Sequence, residues 1–284
     1  MPFEYTTAVS KFWGGNPMVP DGPAKNAPLW RKVFDRLLAL RDGALGRLEW
    51  SGDFAVSGSA ANNFTVTIGA ISCAWVIDGS SSYVPLAYAG GTIDQTAVQG
   101  GGGTLGAAVD WWHVYIYSNG GSAAFEISQT APTGNRVFKT GDNTRRYLGR
   151  FRTNGSGVPL AVTATRGHYL YRVDQTVKLS GNDTSRTAVI VRPDSTTEES
   201  LIPTDVKLAR MYFQYDAQSG GDRTLSIYNA NTSTVSTTLV GKNVGAAQTI
   251  QAEMMVEVDS SQQFGYATSS GVSTMNAYCR GWYE

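Results

Sequence analysis

The chain is short of charge, histidine, cysteine and long apolar runs, and each shortage removes a class of function. Asp, Glu, Lys and Arg together make up 16% of its 284 residues, against about 25% in ordinary soluble domains. Acids and bases number 23 each. No net field therefore gathers a polyanion, and nucleic-acid binding is not expected. Two histidines and two cysteines cannot build a set of three or four metal ligands, so neither a metal nor any other cofactor is expected. Cys73 lies in an alternating pattern and reads as a small buried hydrophobe. The spacing leaves a bond to Cys279 open. No stretch of about 18 apolar residues occurs, so membrane insertion is not expected. The start "MPFEYTTAVSKFWGG" lacks a basic segment followed by an apolar one. It does not read as a secretory signal, and assembly in a cytoplasm is expected.

In place of charge stand 32 glycines and abundant Ser, Thr and Asn, a mixture suited to β-sandwiches with many turns. Residues 1–27 carry Gly14, Gly15, Pro17, Pro20, Gly22 and Pro23, through which no helix or strand runs. Phe3, Tyr5, Phe12 and Trp13 make this segment apolar for a free tail, and it reads as a docking arm. "NAPLWRKVFDRLLALRDG" follows. Pro28 suits a first helical position and Gly43 the position past the last. Leu29, Trp30, Val33, Phe34, Leu37 and Leu38 recur at helical spacing, which predicts one short amphipathic helix. Such a helix is marginal alone and must bury its stripe. Trp30, Val33, Phe34, Leu37 and Leu38 are the expected oligomer interface.

After Gly43 the period changes from 3.6 to 2. In "NNFTVTIGAISCAWVIDG" Phe64, Val66 and Ile68 oppose Thr65 and Thr67, and Ile71, Cys73, Trp75 and Ile77 read as the continuing face. Short strands bounded by Gly, Asn or Pro recur to the end, with no second helical stripe. The expected fold is mainly β. An N-terminal extended arm and one short amphipathic helix (1–45) precede two jelly-roll-like β-sandwich domains, 46–172 and 173–284. The phrases Arg166-Gly167-His168-Tyr169 and Arg280-Gly281-Trp282-Tyr283 close the two β regions alike.

Motifs with defined chemistry are scarce. Gly101, Gly103 and Gly106 match GxGxxG, but a polar loop precedes them and a strand pattern follows. A dinucleotide site needs a strand before and a helix after. That segment, 89–106, reads as a long loop. There is no GxSxG, HExxH or P-loop, and no paired carboxylates lie on one strand; the chain is not expected to be an enzyme. In "VDWWHVYIYSNGG" alternation puts Trp111, His113, Tyr115 and Tyr117 on one face and Trp112, Val114 and Ile116 on the other. The second set reads as core, and His113 as a packed, hydrogen-bonded residue. In "NRVFKTGDNTRRYLGRFR" Arg136, Lys139, Arg145, Arg146, Arg150 and Arg152 fall together with Asp142 the only acid. Alternation puts Arg146, Leu148, Arg150 and Arg152 on one face and Tyr147 and Phe151 on the other. That face reads as solvated, or as holding a carboxylate of a neighbouring subunit or an anionic glycan. Trp111, Tyr115, Tyr117, Arg146, Arg150 and Arg152 are thus the expected surface or glycan contacts.

The run from "WWHVYIY" through "ISQTAPTGNRVFKTGDNTRRYLGRFRT" to "GHYLYR", and the ending "VEVDSSQQFGYATSSGVSTMNAYCRGWYE", resemble β-rich structural proteins of tailed-bacteriophage virions, tail fibres and spikes above all. The resemblance covers about 109–172 and 250–284. It implies a homotrimeric assembly protein of the virion, with β domains projecting from a helical or extended N-terminal attachment segment. The expected role is non-enzymatic: the N-terminal segment holds the chain to other virion proteins, and the β domains face the host surface, with a host-surface glycan as a candidate partner. The chain has neither the coiled coil nor the repeated shaft of a long fibre. A capsid decoration or head-fibre protein is the alternative reading, and a carbohydrate-binding module or glycan hydrolase the alternative from another class.

Overall fold

The computed structural model describes residues 48–284, except 51, 81, 100–102, 109, 135, 166, 178, 180–184, 194–199, 218–219, 231–234, 242–247 and 271. The expected arm and helix, with the interface set Trp30, Val33, Phe34, Leu37 and Leu38, lie outside the described residues. The first strands are β1 (Leu48–Trp50), β2 (Phe54–Ala60), β3 (Asn63–Ile68), β4 (Ile71–Ile77), β5 (Tyr83–Tyr88) and β6 (Gly91–Asp94). Next come β7 (Trp111–Asn119), β8 (Ser122–Ser128), β9 (Phe138–Lys139), β10 (Asp142–Arg152), β11 (Val162–Thr165) and β12 (His168–Val177). The last are β13 (Thr187–Ile190), β14 (Leu208–Ala217), β15 (Arg223–Tyr228), β16 (Val235–Gly241), β17 (Gln248–Glu257), β18 (Gln263–Thr268) and β19 (Val272–Tyr283). The fold is mainly β, as the periodicity predicts. No helix among the described residues is long and apolar enough to cross a membrane.

Strand alternation explains the layers. In β14, "LARMYFQYDA", Ala209, Met211, Phe213, Tyr215 and Ala217 are buried, while Leu208, Arg210, Tyr212, Gln214 and Asp216 take the opposite, more open side. A one-residue slip would exchange the two sets, which fixes the register. Phe213 meets Phe264 of β18 edge-on at 5.8 Å. The hydroxyl of Tyr215 reaches the carbonyls of Arg223 and Leu239 on β15 and β16, each at 3.3 Å. In the other half Phe64 of β3 lies 6.1 Å from Phe151 of β10.

One sheet runs through both halves. It has eight strands in the order β17-β14-β19-β12-β11-β2-β3-β6. A three-stranded sheet (β1-β4-β5) and two four-stranded sheets (β8-β7-β10-β9 and β13-β18-β15-β16) are the other sheets among the described residues. The boundary expected at 172/173 falls inside β12. This strand pairs with β11 of the first half and β19 of the second, and one apolar cluster extends from Phe54 to Trp282.

The two look-alike phrases meet at this junction. Their aromatic residues are cross-strand partners, His168 opposite Tyr283 and Tyr169 opposite Trp282. Both pairs stack, with centroids at 3.9 and 4.7 Å and planes 10° and 7° apart. Aromatic contacts of this kind contribute about 0.5–1.5 kcal/mol beyond the area they bury. Gly281 makes the approach possible. Its φ is +150°, and a Cβ there would lie 1.9 Å from the Tyr169 carbonyl oxygen.

Three local expectations change. Both ladders of β4 are irregular, the β5 side between Ile71 and Ala74, so that Ile71, Ala74 and Val76 enter the core while Cys73 and Trp75 are only half-buried. Cys73 is a free thiol, as is the buried Cys279, whose pKa burial pushes up to about 12. The segment 89–106 is more than a loop: it contains β6, a 3-10 turn at Gln95–Ala97 capped by Asp94, and the buried Leu105.

Candidate functional site

A register shift in β10 creates the site. The β10–β7 ladder shifts register between Tyr147 and Gly149, after which Arg150 faces His113, Phe151 faces Trp112 and Arg152 faces Trp111. The extra residue reverses the parity of everything beyond it. Tyr147, opposite Tyr115, therefore shares its side with Arg150 and Arg152, and Arg146, opposite Ile116, takes the other. The expected solvated arginine row does not form. Arg146, Arg150 and Arg152 are 4%, 4% and 1% exposed.

Arg150 reaches two acids far away in sequence. Its Nη2 lies 2.8 Å from Asp205 Oδ1, and its Nε donates to the Glu284 carboxylate. Arg136 joins from the side, with Nη2 at 2.8 Å from Asp205 Oδ2 and Nη1 at 3.6 Å from Glu284. Burial works against the charge of Arg150, but Tyr147, Glu284 and Asp205 outweigh it and raise its pKa. Burial likewise raises the Asp205 pKa, and Arg150 and then Arg136 bring it below the usual carboxylate value. Tyr147, buried beside Tyr169 and Glu284, is held protonated well above its ordinary range.

His113 lies beside this clamp, 4% exposed, with its ring 6.5 and 6.0 Å from those of Tyr115 and Tyr147. Burial, reinforced by Arg150 and opposed by Asp205, pushes its pKa down to about 3. It is a neutral imidazole at physiological pH. Its Nδ1 is buried with no hydrogen-bond partner, so the ring is packed as expected but Nδ1 is not hydrogen-bonded. His113, Arg136, Arg150 and Asp205 line a cleft of about 400 Å³ between β7, β10, residues 129–134 and residues 203–205. Trp111 lies half-buried at its side, 5.5 Å and edge-on from Trp282, with the Arg150 guanidinium 5.9 Å from its ring centre. Asp110 accepts from the Trp111 amide at 2.8 Å and from the Gln129 side chain.

Of the six residues expected to act as contacts, the cleft gathers Trp111 and Arg150. Tyr115 is buried and donates to the Thr130 carbonyl at 2.6 Å. Tyr117 lies under the Arg145 guanidinium, 3.8 Å from its ring centre. Arg146 donates to the Trp75 carbonyl at 3.1 Å, and Arg152 is enclosed in the core. Sequence reading missed Asp205, Glu284, Gln129 and Trp282, because only the fold brings them to β7 and β10.

A second ion network lies along the same sheet. Glu126 accepts from Lys139 at 2.6 Å and from Arg145 at 2.8 Å, and Gln99 accepts from Lys139 at 2.8 Å. Among the described residues no group of three or more His, Cys, Asp or Glu could hold a metal ion.

No protein-family model matches the chain, and no curated protein matches it. Solved structures give partial overlaps. The insecticidal delta-endotoxin Cry8Ea1 from Bacillus thuringiensis is 10% identical, with a TM-score of 0.22 over 86% of this chain and 54% of that one. The infectious bursal disease virus VP2 subviral particle is 10% identical, with a TM-score of 0.18 over 81% of this chain and 66% of that one. The chain thus spans about half the length of the toxin. At these scores neither likeness assigns a function.

Proposed function

We propose that the chain is a non-enzymatic structural protein of a virion, a trimeric tail fibre or spike component anchored by residues 1–45, with its β unit directed at the host surface. The carrying observation is that β12 and β19 weld both halves into one sheet, and that the scarce buried charges hold its segments together. Arg150 ties β10 to Asp205 and Glu284. A β unit whose two halves share one sheet suits a part that must transmit position. The sequence resemblance over about 109–172 and 250–284 supports the virion setting.

Labelling of intact particles tests the reading. Label at the tail is expected. Label confined to the head replaces tail fibre with capsid decoration, and absence from particles overturns the virion role. Polysaccharide depolymerisation by the isolated chain would replace it with a glycan hydrolase. The trimer has its own test: Phe34→Asp with Leu37→Asp is expected to reduce the sedimenting mass from three chains to one while the far-UV spectrum stays β. An unchanged mass with an intact fold refutes the helix interface.

A further inference from the structure

We infer that the cleft between β7, β10 and residues 203–205 is a binding site for a neutral pyranose sugar, with Trp111 as its apolar wall and His113, Gln129, Asp110 and Asp205 as its polar contacts. Four observations lead there. The first is size: about 400 Å³ falls in the range of small-ligand sites, roughly 300–1,000 Å³. The second is charge. The lining carries two arginines, Arg136 and Arg150, and two aspartates, Asp110 and Asp205. The sum is zero, and both arginines are already held by Asp205 and Glu284. An anionic ligand would have to displace a carboxylate, whereas a neutral one meets no opposing charge.

The third is the unpartnered Nδ1 of His113 on a ring 4% exposed that lines the cleft. Buried polar atoms of native proteins almost always have a partner, and a sugar hydroxyl, both donor and acceptor, serves either tautomer. The fourth is the pairing of surfaces. A carboxylate offers about four lone-pair directions. Asp110 uses two for the Trp111 amide and Gln129, which leaves acceptors for hydroxyls beside a half-buried indole. An apolar face next to fixed acceptors matches the alternating C–H and O–H surfaces of a pyranose.

The site stands apart from the virion role: a chain found in particles that binds no sugar refutes the site alone, and a sugar-binding chain absent from particles refutes the role alone. The test is titration of the full chain with methyl glucoside, galactoside, mannoside and N-acetylglucosaminide, and with glucuronic and sialic acids, read by tryptophan fluorescence and saturation-transfer NMR. At least one neutral glycoside is expected to bind, with a Kd on the order of 1 mM for a single ring, at the same strength between pH 5.5 and 8 because His113 stays neutral. Trp111→Ala is expected to weaken binding at least tenfold. Because that change could disturb the contact with Trp282, Gly134→Phe provides a second variant. A Cβ at Gly134, on the cleft lining, meets nothing within 4 Å, so the ring blocks the cleft with the fold intact. No neutral binding, stronger binding of the acids, a pH step near 6.5, or full binding by folded Gly134→Phe each overturns the assignment.

Discussion

Two of the ion networks share the same chemistry and occupy opposite environments in this protein. The clamp around Arg150 is inside: the Arg150 and Glu284 side chains are 5% and 10% exposed. The other lies on the open side of the eight-stranded sheet. There Arg280 grips Asp174 at 2.9 Å and Glu253 at 3.0 Å, Arg210 donates to Glu253, and Arg280 covers Tyr212 at 4.1 Å from its ring centre. Each network joins segments distant in sequence. Water separates them energetically. An exposed pair gains about 0–1 kcal/mol because solvent already screens both charges. A buried pair gains little over an apolar substitute but is costly to break, because the remaining partner is left without compensation. The inner network therefore specifies which segments meet, whereas the outer one mostly dresses a surface.

The largest effect should come from breaking the inner network on one side. Arg150→Met leaves the Glu284 carboxylate buried without its main partner and releases Asp205 from β10. A loss of about 3–5 kcal/mol in unfolding free energy is expected by urea titration. A loss under about 1 kcal/mol would mean that the clamp behaves like the surface set.

The contrast between the networks also marks where the sequence could be read. The alternation of β14 identifies its buried face outright, and "WWHVYIY" is recognisable as a strand covered on both sides. Cover for Trp111 and Tyr115 comes from Trp282 and Tyr147 of the same chain. Period-2 reasoning fails at irregular ladders. One extra residue in β10 sends Arg150 inward with Tyr147, and the irregular pairing of β4 turns Cys73 half outward; nothing local in "RRYLGRF" or "AISCAW" announces either. Asp205 and Glu284 had no signal because their role depends on tertiary pairing. The kinship of "RGHY" and "RGWY" was visible in the sequence, but its meaning, adjacent strands with stacked rings, needed the sheet order.

A smaller, pH-dependent effect should belong to the inner region alone. The pKa of His113 is about 3 in the fold and about 6.5 in an unfolded chain. Between these values the unfolded state binds the extra proton, so stability falls as pH drops through the window and is complete above it. Between pH 7.5 and pH 5 the loss from this residue is about 2 kcal/mol. Burial and Arg210 lower the pKa of His168 as well, which adds a loss in the same direction. Replacing His113 with Phe should remove most of the slope measured by urea titration at the two pH values. A slope unchanged in His113→Phe would place the proton uptake elsewhere.

The smallest expected effect tests the other side of the comparison. Arg280→Met removes contacts to Asp174 and Glu253 and the cation over Tyr212, yet a methionine still covers the ring. The expected loss is at most about 1 kcal/mol in 50 mM salt. It should shrink further in 1 M salt, where the Debye length falls to about 3 Å. The Arg150→Met loss should change less over the same range, since the Arg150 and Glu284 side chains are buried and only Asp205 and Arg136 of the clamp are open to ions. Equal salt sensitivity in the two variants would show that water enters the Arg150 cleft freely, and the distinction between an inner network that specifies and an outer one that decorates would no longer hold.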